Sequence, residues 1–238
     1  MGYMGGKAIG CKFIIDILND PKYDGMDYLE PFLGYCNILR RVKNKKSYTA
    51  SDYNPLLITL WNGVRDDLEY PEIDRERYNQ LKKIRENNWE TAIACFCHSY
   101  NGKLWGGYVK IFTSAKDGRE HNFRQENINY YQKLKQNNIF MNCDISYKSY
   151  LDYEPNGMLI YCDPPYQNTN GYGIEFNHDQ FWDTMRRWSK NNVVFISEYT
   201  APDDFVCVGQ TVKRTTFNTK KMKGNRDRVE RLFQYGEP

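Results

Sequence analysis

An α/β fold with a doubly wound, mostly parallel sheet is predicted by three observations. Short apolar runs end abruptly at an acidic residue or a glycine, as buried parallel strands do where they meet a ligand-binding loop. Amphipathic helical patterns follow several of these runs. Between residues 61 and 138 the strand signal largely disappears, so a helical block is expected to interrupt the sheet. The chain has 238 residues, 16% aromatic content and a net charge of +3. That is enough for one good core plus a small inserted subdomain, and the mild positive charge permits a nucleic-acid partner without requiring one. Seven scattered cysteines read as reduced thiols. With no apolar stretch of transmembrane length, a soluble, cytoplasmic protein is expected.

Taken in order, Gly2 to Lys7 form a glycine loop whose backbone can approach a ligand closely. Ile9, Phe13, Ile14, Ile17 and Leu18 recur at helical spacing over 8–18. Tyr28 to Asn37 read as a strand that breaks at Gly34, and a helix over 38–45 follows. Ser47 to Ala50 form a second strand that ends in Ser51-Asp52-Tyr53-Asn54. An acid at that tip, about twenty residues after the glycine turn, sits where such folds bind ribose. The competing reading makes Asp52 a helix cap ahead of Pro55.

Helices are expected over 75–88, 89–97 and 125–136. Between them lies a loop over 102–118, rich in glycine, lysine and aromatics. Tyr100, Asn101, Lys103, Trp105 and Tyr108 suit a nucleic-acid interface. Alternatively these aromatics pack the loop upon itself. Cys95-Phe96-Cys97-His98 has no second ligand pair at suitable spacing, so no zinc site is read there. A strand over 139–144 places Asp144 at its end. The run Met158 to Cys162 is another buried strand, closed by Asp163-Pro164-Pro165-Tyr166. Two prolines stop both ladder and helix, leaving a carboxylate and an aromatic ring on a rigid loop. A helix over 178–190 and a strand over 192–197 follow. A closing hairpin is expected from 212–217 and 230–235, with a basic loop over 220–228 between them.

The terminal loop suggests one chemistry. The exocyclic amino group of a base is a poor nucleophile because its lone pair is delocalised into the ring. Acceptors on its two N–H bonds, the Asp163 carboxylate and the Pro164 carbonyl, would draw it toward tetrahedral geometry. Tyr166 would stack on the ring, a contact worth roughly 1–3 kcal/mol.

Together, Tyr3 to Lys7, Glu30-Pro31-Phe32-Leu33-Gly34, Ser51 to Asn54 and Asp163 to Tyr166 resemble the Dam-like adenine-N6 DNA methyltransferases, and the 103–108 loop resembles their compact phage-type members. The resemblance implies a Rossmann-like S-adenosylmethionine-dependent methyltransferase sheet with an inserted, mostly helical target-recognition subdomain. Residues 1–60 and 139–238 would be catalytic, and 61–138 would be the insert. The implied cofactor is S-adenosylmethionine, without a metal, and the implied partner is double-stranded DNA, with no membrane. Tyr3, Lys7, Phe32, Gly34, Asp52, Asp144 and Asp163 would contact the cofactor. Asp163, Pro164, Pro165 and Tyr166 would be catalytic. Where the family often has a second glycine, this chain has Cys36. Cytosine-N4 methylation of DNA, adenine-N6 methylation of RNA and non-catalytic DNA binding remain alternatives. The oligomeric state stays open between monomer and weak dimer.

Overall fold

A computed structural model describes residues 11–100, 104–114, 118–166, 176–219 and 222–236, with side chains left out at 213–219 and 222–228. A seven-stranded sheet forms its centre. The strands are β1 (Asp27–Glu30), β2 (Ser47–Asp52), β5 (Asp144–Tyr147), β6 (Met158–Cys162), β7 (Val193–Glu198), β8 (Phe205–Thr219) and β9 (Met222–Tyr235). Their order is β5-β2-β1-β6-β7-β9-β8. The first five run parallel, and β9 and β8 join antiparallel. The chain moves outward from β1 to β2 and β5, then returns to lay β6 on the other side of β1. Strand order therefore reverses between β1 and β6, and the crevice at their carboxyl ends is where a doubly wound sheet binds ligands. This is the Rossmann-like α/β sheet the sequence predicts.

Helix starts follow a consistent local chemistry. Asn54, Asp74, Asn88, Asn122, Asn137 and Asn177 each accept a backbone N–H at the start of a helix. These side chains satisfy donors that the first turn leaves unpaired. The helices are α1 (Lys12–Leu18), α2 (Pro55–Arg65), α3 (Arg75–Ile84), α4 (Trp89–Cys97), α5 (Phe123–Lys135), α6 (Asn138–Asn142) and α7 (His178–Ser189). One face of the sheet is covered by α7, whose Phe181, Met185 and Trp188 pack on Ile160, Val194 and Ile196. The other face carries α1, α2 and the inserted helices.

The insert occupies the β2-to-β5 crossover. Its α3, α4 and α5 share one continuous core with the sheet: Tyr78, Phe96 and Tyr131 belong to the same buried cluster as Tyr28, Trp61 and Tyr161. Gly63 allows α2 and α4 to close, because a Cβ there would collide with the Trp89 ring. The boundary expected at residue 60/61 falls inside α2.

Several local expectations change. Residues 38–45 do not form an α-helix; only a 3-10 turn, Leu39–Arg41, is present. Ile38, Leu39 and Val42 have helical spacing and are buried, yet the segment must turn back within a few residues to feed β2. Ile139 to Asn142 are helical, and the strand begins at Asp144. The basic stretch 222–228 lies within β9 rather than in a loop. A two-stranded ribbon, β3 (Ile111–Thr113) with β4 (Glu120–Asn122), appears where a loop was expected. No helix among the described residues is long and apolar enough to cross a membrane.

Candidate active site

The carboxyl ends of β1, β2 and β6 lie side by side. Gly34 follows β1 in the left-handed region, at φ +48°, and its N–H donates to Asp52 Oδ2 at 2.8 Å. The other Asp52 oxygen accepts from Asn54 N at 2.9 Å. Asn54, not Asp52, caps α2, so the helix-cap reading of Asp52 is replaced by a carboxylate that ties the loops after β1 and β2 together. Burial pushes its pKa up to about 6, against the opposing pull of N–H groups from Gly34, Asn54 and Tyr53. Trp61 Nε1 donates to the Gly34 carbonyl at 3.0 Å, and Tyr130 Oη donates to the Tyr35 carbonyl at 2.8 Å. The glycine turn is thus clamped by α2 and α5. Cys36 sits at φ +52°, so the backbone keeps a left-handed conformation without the second glycine. Phe32 points to the opposite face and packs against Tyr150, Phe176 and Phe181.

Two strand spacings from Asp52, roughly 10 Å at ~4.8 Å per strand, Asp163 immediately follows β6. The alternation of β6 places Asp163 on the same face as Tyr161. Glu30 is buried on this face at the end of β1 and accepts from Tyr28 Oη at 2.7 Å. Burial holds the Glu30 carboxyl well above the usual range; the Tyr28 hydroxyl opposes this and the Asp163 charge adds to it. From the sequence Glu30 was read only as part of the 30–34 motif, because an acid inside a strand run gives no sign of which face it takes. Pro164 is buried and Pro165 partly buried. Tyr166 donates to Glu230 Oε1 at 3.0 Å, and its ring meets Tyr199 edge-on with centroids 4.6 Å apart.

Asp144 is not at a carboxyl end. It opens β5, opposite Thr49, whereas Tyr147 pairs with Asp52 at the carboxyl end of the two strands. Asp144 instead lines a cavity of about 520 Å³ with Lys46, Thr49 and Asn138 at the far end of the strands. The misplacement follows from reading 139–143 as strand. At the carboxyl end of β2 and β5 the exposed rings of Tyr53 and Tyr147 stack, with centroids 5.6 Å apart and planes 20° from parallel. Neither was singled out from the sequence; for Tyr53 the available signal was its place beside Asp52.

Two of the rings expected at the nucleic-acid interface point inward. Trp105 is 8% exposed and meets Tyr78 edge-on. Tyr108 stacks on His98 and donates to the Ile73 carbonyl at 3.0 Å. Tyr100 is exposed. Tyr3, Lys7, Asn101 and Lys103 lie outside the described residues. Trp105→Ala is expected to cost about 3 kcal/mol of stability, and Tyr108→Phe about 1 kcal/mol for the lost hydrogen bond. Thermal melts read alongside duplex-DNA affinity check both. Normal melting with weakened DNA binding would return the rings to the interface. Among the described residues no group of three or more His, Cys, Asp or Glu could hold a metal ion.

Several solved structures align over nearly the whole chain. The rRNA methyltransferase AviRa of Streptomyces viridochromogenes is 11% identical, with 98% of this chain and 88% of that one covered and a TM-score of 0.41. Precorrin-6y C5,15-methyltransferase of Geobacter metallireducens is 8% identical, with 98% and 92% covered and a TM-score of 0.38. No curated protein matches the chain. Residues 3–92, which hold Tyr3, Lys7, Phe32, Gly34 and Asp52 and stop short of Asp163, match the family model of the D12 class N6 adenine-specific DNA methyltransferases.

Proposed function

We propose that this chain transfers a methyl group from S-adenosylmethionine to the N6 amino group of an adenine taken out of a DNA duplex. The observation that supports this most is the adjacency of two features at the β1/β6 reversal. One is the Gly34 turn bound to Asp52, and the other is the Asp163-Pro164-Pro165-Tyr166 loop. A carboxylate has about four acceptor sites, so Asp52 keeps acceptor capacity beyond the N–H groups of Gly34, Asn54 and Tyr53, which fits ribose hydroxyls. The exposed Tyr53 and Tyr147 rings fit the adenine of the cofactor and take over the role expected of Asp144. Bound there, S-adenosylmethionine supplies an electrophilic methyl.

The residues of the chain do the rest. Asp163 and the Pro164 carbonyl accept from the two N–H bonds of the target amino group, and Tyr166 stacks on its ring. Flipping the base costs a few kcal/mol, offset by these contacts. Alignment of amino nitrogen and methyl is the main contribution to rate. The methylated ammonium loses its proton readily, so no histidine base is needed. His98 is buried and its acidity is pushed to about 4, consistent with a neutral packing role. Tyr100, Asn101 and Lys103 are the proposed DNA contacts of the insert. Incubation with tritiated-methyl cofactor and either duplex DNA or RNA tests the acceptor. Label in duplex DNA is expected; label confined to RNA would reassign the substrate.

A further inference from the structure

The loop that presents Asp163 is held from the antiparallel end of the sheet. Tyr166 donates its phenolic hydrogen to Glu230 on β9 and rests against Tyr199, which follows β7. Glu230 is 2% exposed. Alternation along β9 puts it on the face of Leu232, whose partner on β7 is Ser197. Ser197 in turn bonds Tyr161 at 2.8 Å, so this is the face of Tyr161 and Asp163. The packing of the sheet does not explain an acid at position 230: Leu232 and Phe233 already serve the two cores. A buried carboxylate is costly unless hydrogen-bonded, so the Tyr166 contact is a reason for its presence.

We propose that Glu230 is a positioning residue for methyl transfer: it fixes the rotamer of Tyr166, and through it the path of the 163–166 loop. This rests on the reading that Tyr166 stacks on the target base. A tyrosine at the end of a loop otherwise samples several staggered rotamers, and only one presents its ring face to a base lying over Asp163. Contacts from β9 and from the end of β7 leave one orientation. A charged acceptor holds a phenol more firmly than a neutral one. The phenol remains the donor, because burial, with the Asp163 and Glu230 charges, keeps its pKa well above the ordinary tyrosine range.

The test uses the full chain with Tyr166→Phe, Glu230→Ala, Glu230→Gln and the Tyr166→Phe/Glu230→Ala double variant. Turnover at saturating cofactor and DNA, cofactor affinity and melting temperature are measured. Tyr166→Phe and Glu230→Ala are each expected to lower kcat about tenfold, the scale of one hydrogen bond to a charged group. The double variant should be no worse than either single, since both remove the same contact. Glu230→Gln should recover most of the rate, and cofactor affinity should not move. Multiplying losses, or wild-type turnover in Tyr166→Phe, would overturn the proposal. Tyrosine labelled with carbon-13 at Cζ separates this from failure of the functional reading. The Tyr166 resonance, assigned by its absence in Tyr166→Phe, should shift in Glu230→Ala whether or not the wild type methylates DNA. An unshifted resonance would remove the contact itself, whereas a shifted one in a wild type that methylates no adenine would count against the functional reading alone.

Discussion

Asp163→Ala is expected to lower methyl transfer by about 10²–10³-fold, the usual scale when one preorganised polar contact to the reacting group is lost. The fold should survive. Asp163 follows the last residue of β6, is only partly buried, and raises the pKa of its neighbour Glu30. The parallel pairing of β6 with its neighbours does not depend on the Asp163 side chain, so the melting temperature should change little. Asp163→Asn keeps one acceptor oxygen and should retain an intermediate rate. Turnover of the alanine variant near the wild-type level would remove Asp163 from the reaction.

Asp52→Ala should weaken S-adenosylmethionine binding by the loss of one or two hydrogen bonds to a charged acceptor, about 1.5–3 kcal/mol each. It also frees the N–H groups of Gly34 and Asn54, so the turn loosens as well. Asp52→Asn separates the two effects, because it keeps one acceptor without the charge. The pH dependence gives a sharper test. Ribose hydroxyls favour the ionised carboxylate, and the Asp52 pKa lies at about 6 in the folded protein, above its ordinary 3.8. Cofactor affinity should therefore fall as pH drops through about 6, by at most about tenfold per pH unit. Stability has the opposite sign. A raised acid favours the protonated native state, so its contribution is full below about pH 4 and is lost as pH rises through about 6. Calorimetry across pH 5 to 8 should show the affinity trend in the wild type and its absence in Asp52→Asn. A flat wild-type profile would leave Asp52 as a structural tie alone.

The parts legible in the sequence are those where local chemistry and tertiary demand agree. The strand ending at Cys162 was visible because an apolar run met two prolines; helix α4 forms over 89–97 as expected, but Asn88, read as the end of the helix before it, is its cap. Asp52 was visible from its distance to Gly34, and the structure joins the two by a hydrogen bond. The segment 139–143 was misread because a short apolar run fits strand and helix alike; the cap at Asn137 was the deciding feature. That one error moved Asp144 to the wrong end of its strand. Trp105 and Tyr108 show a different limit. Composition places aromatics in a loop but does not say which way they face, and here Tyr78 and His98 draw them inward. Glu230 was hidden because its partner is 64 residues away in the chain.

The central claim is that the crevice between β1 and β6 directs a methyl group onto an adenine amino group. The most direct measurement is nucleoside analysis of duplex DNA after incubation with the purified chain and S-adenosylmethionine, with Asp163→Ala run beside it. The expected result is N6-methyladenine with the wild type and almost none with the variant. N4-methylcytosine as the product, or equal N6-methyladenine from both proteins, would contradict it.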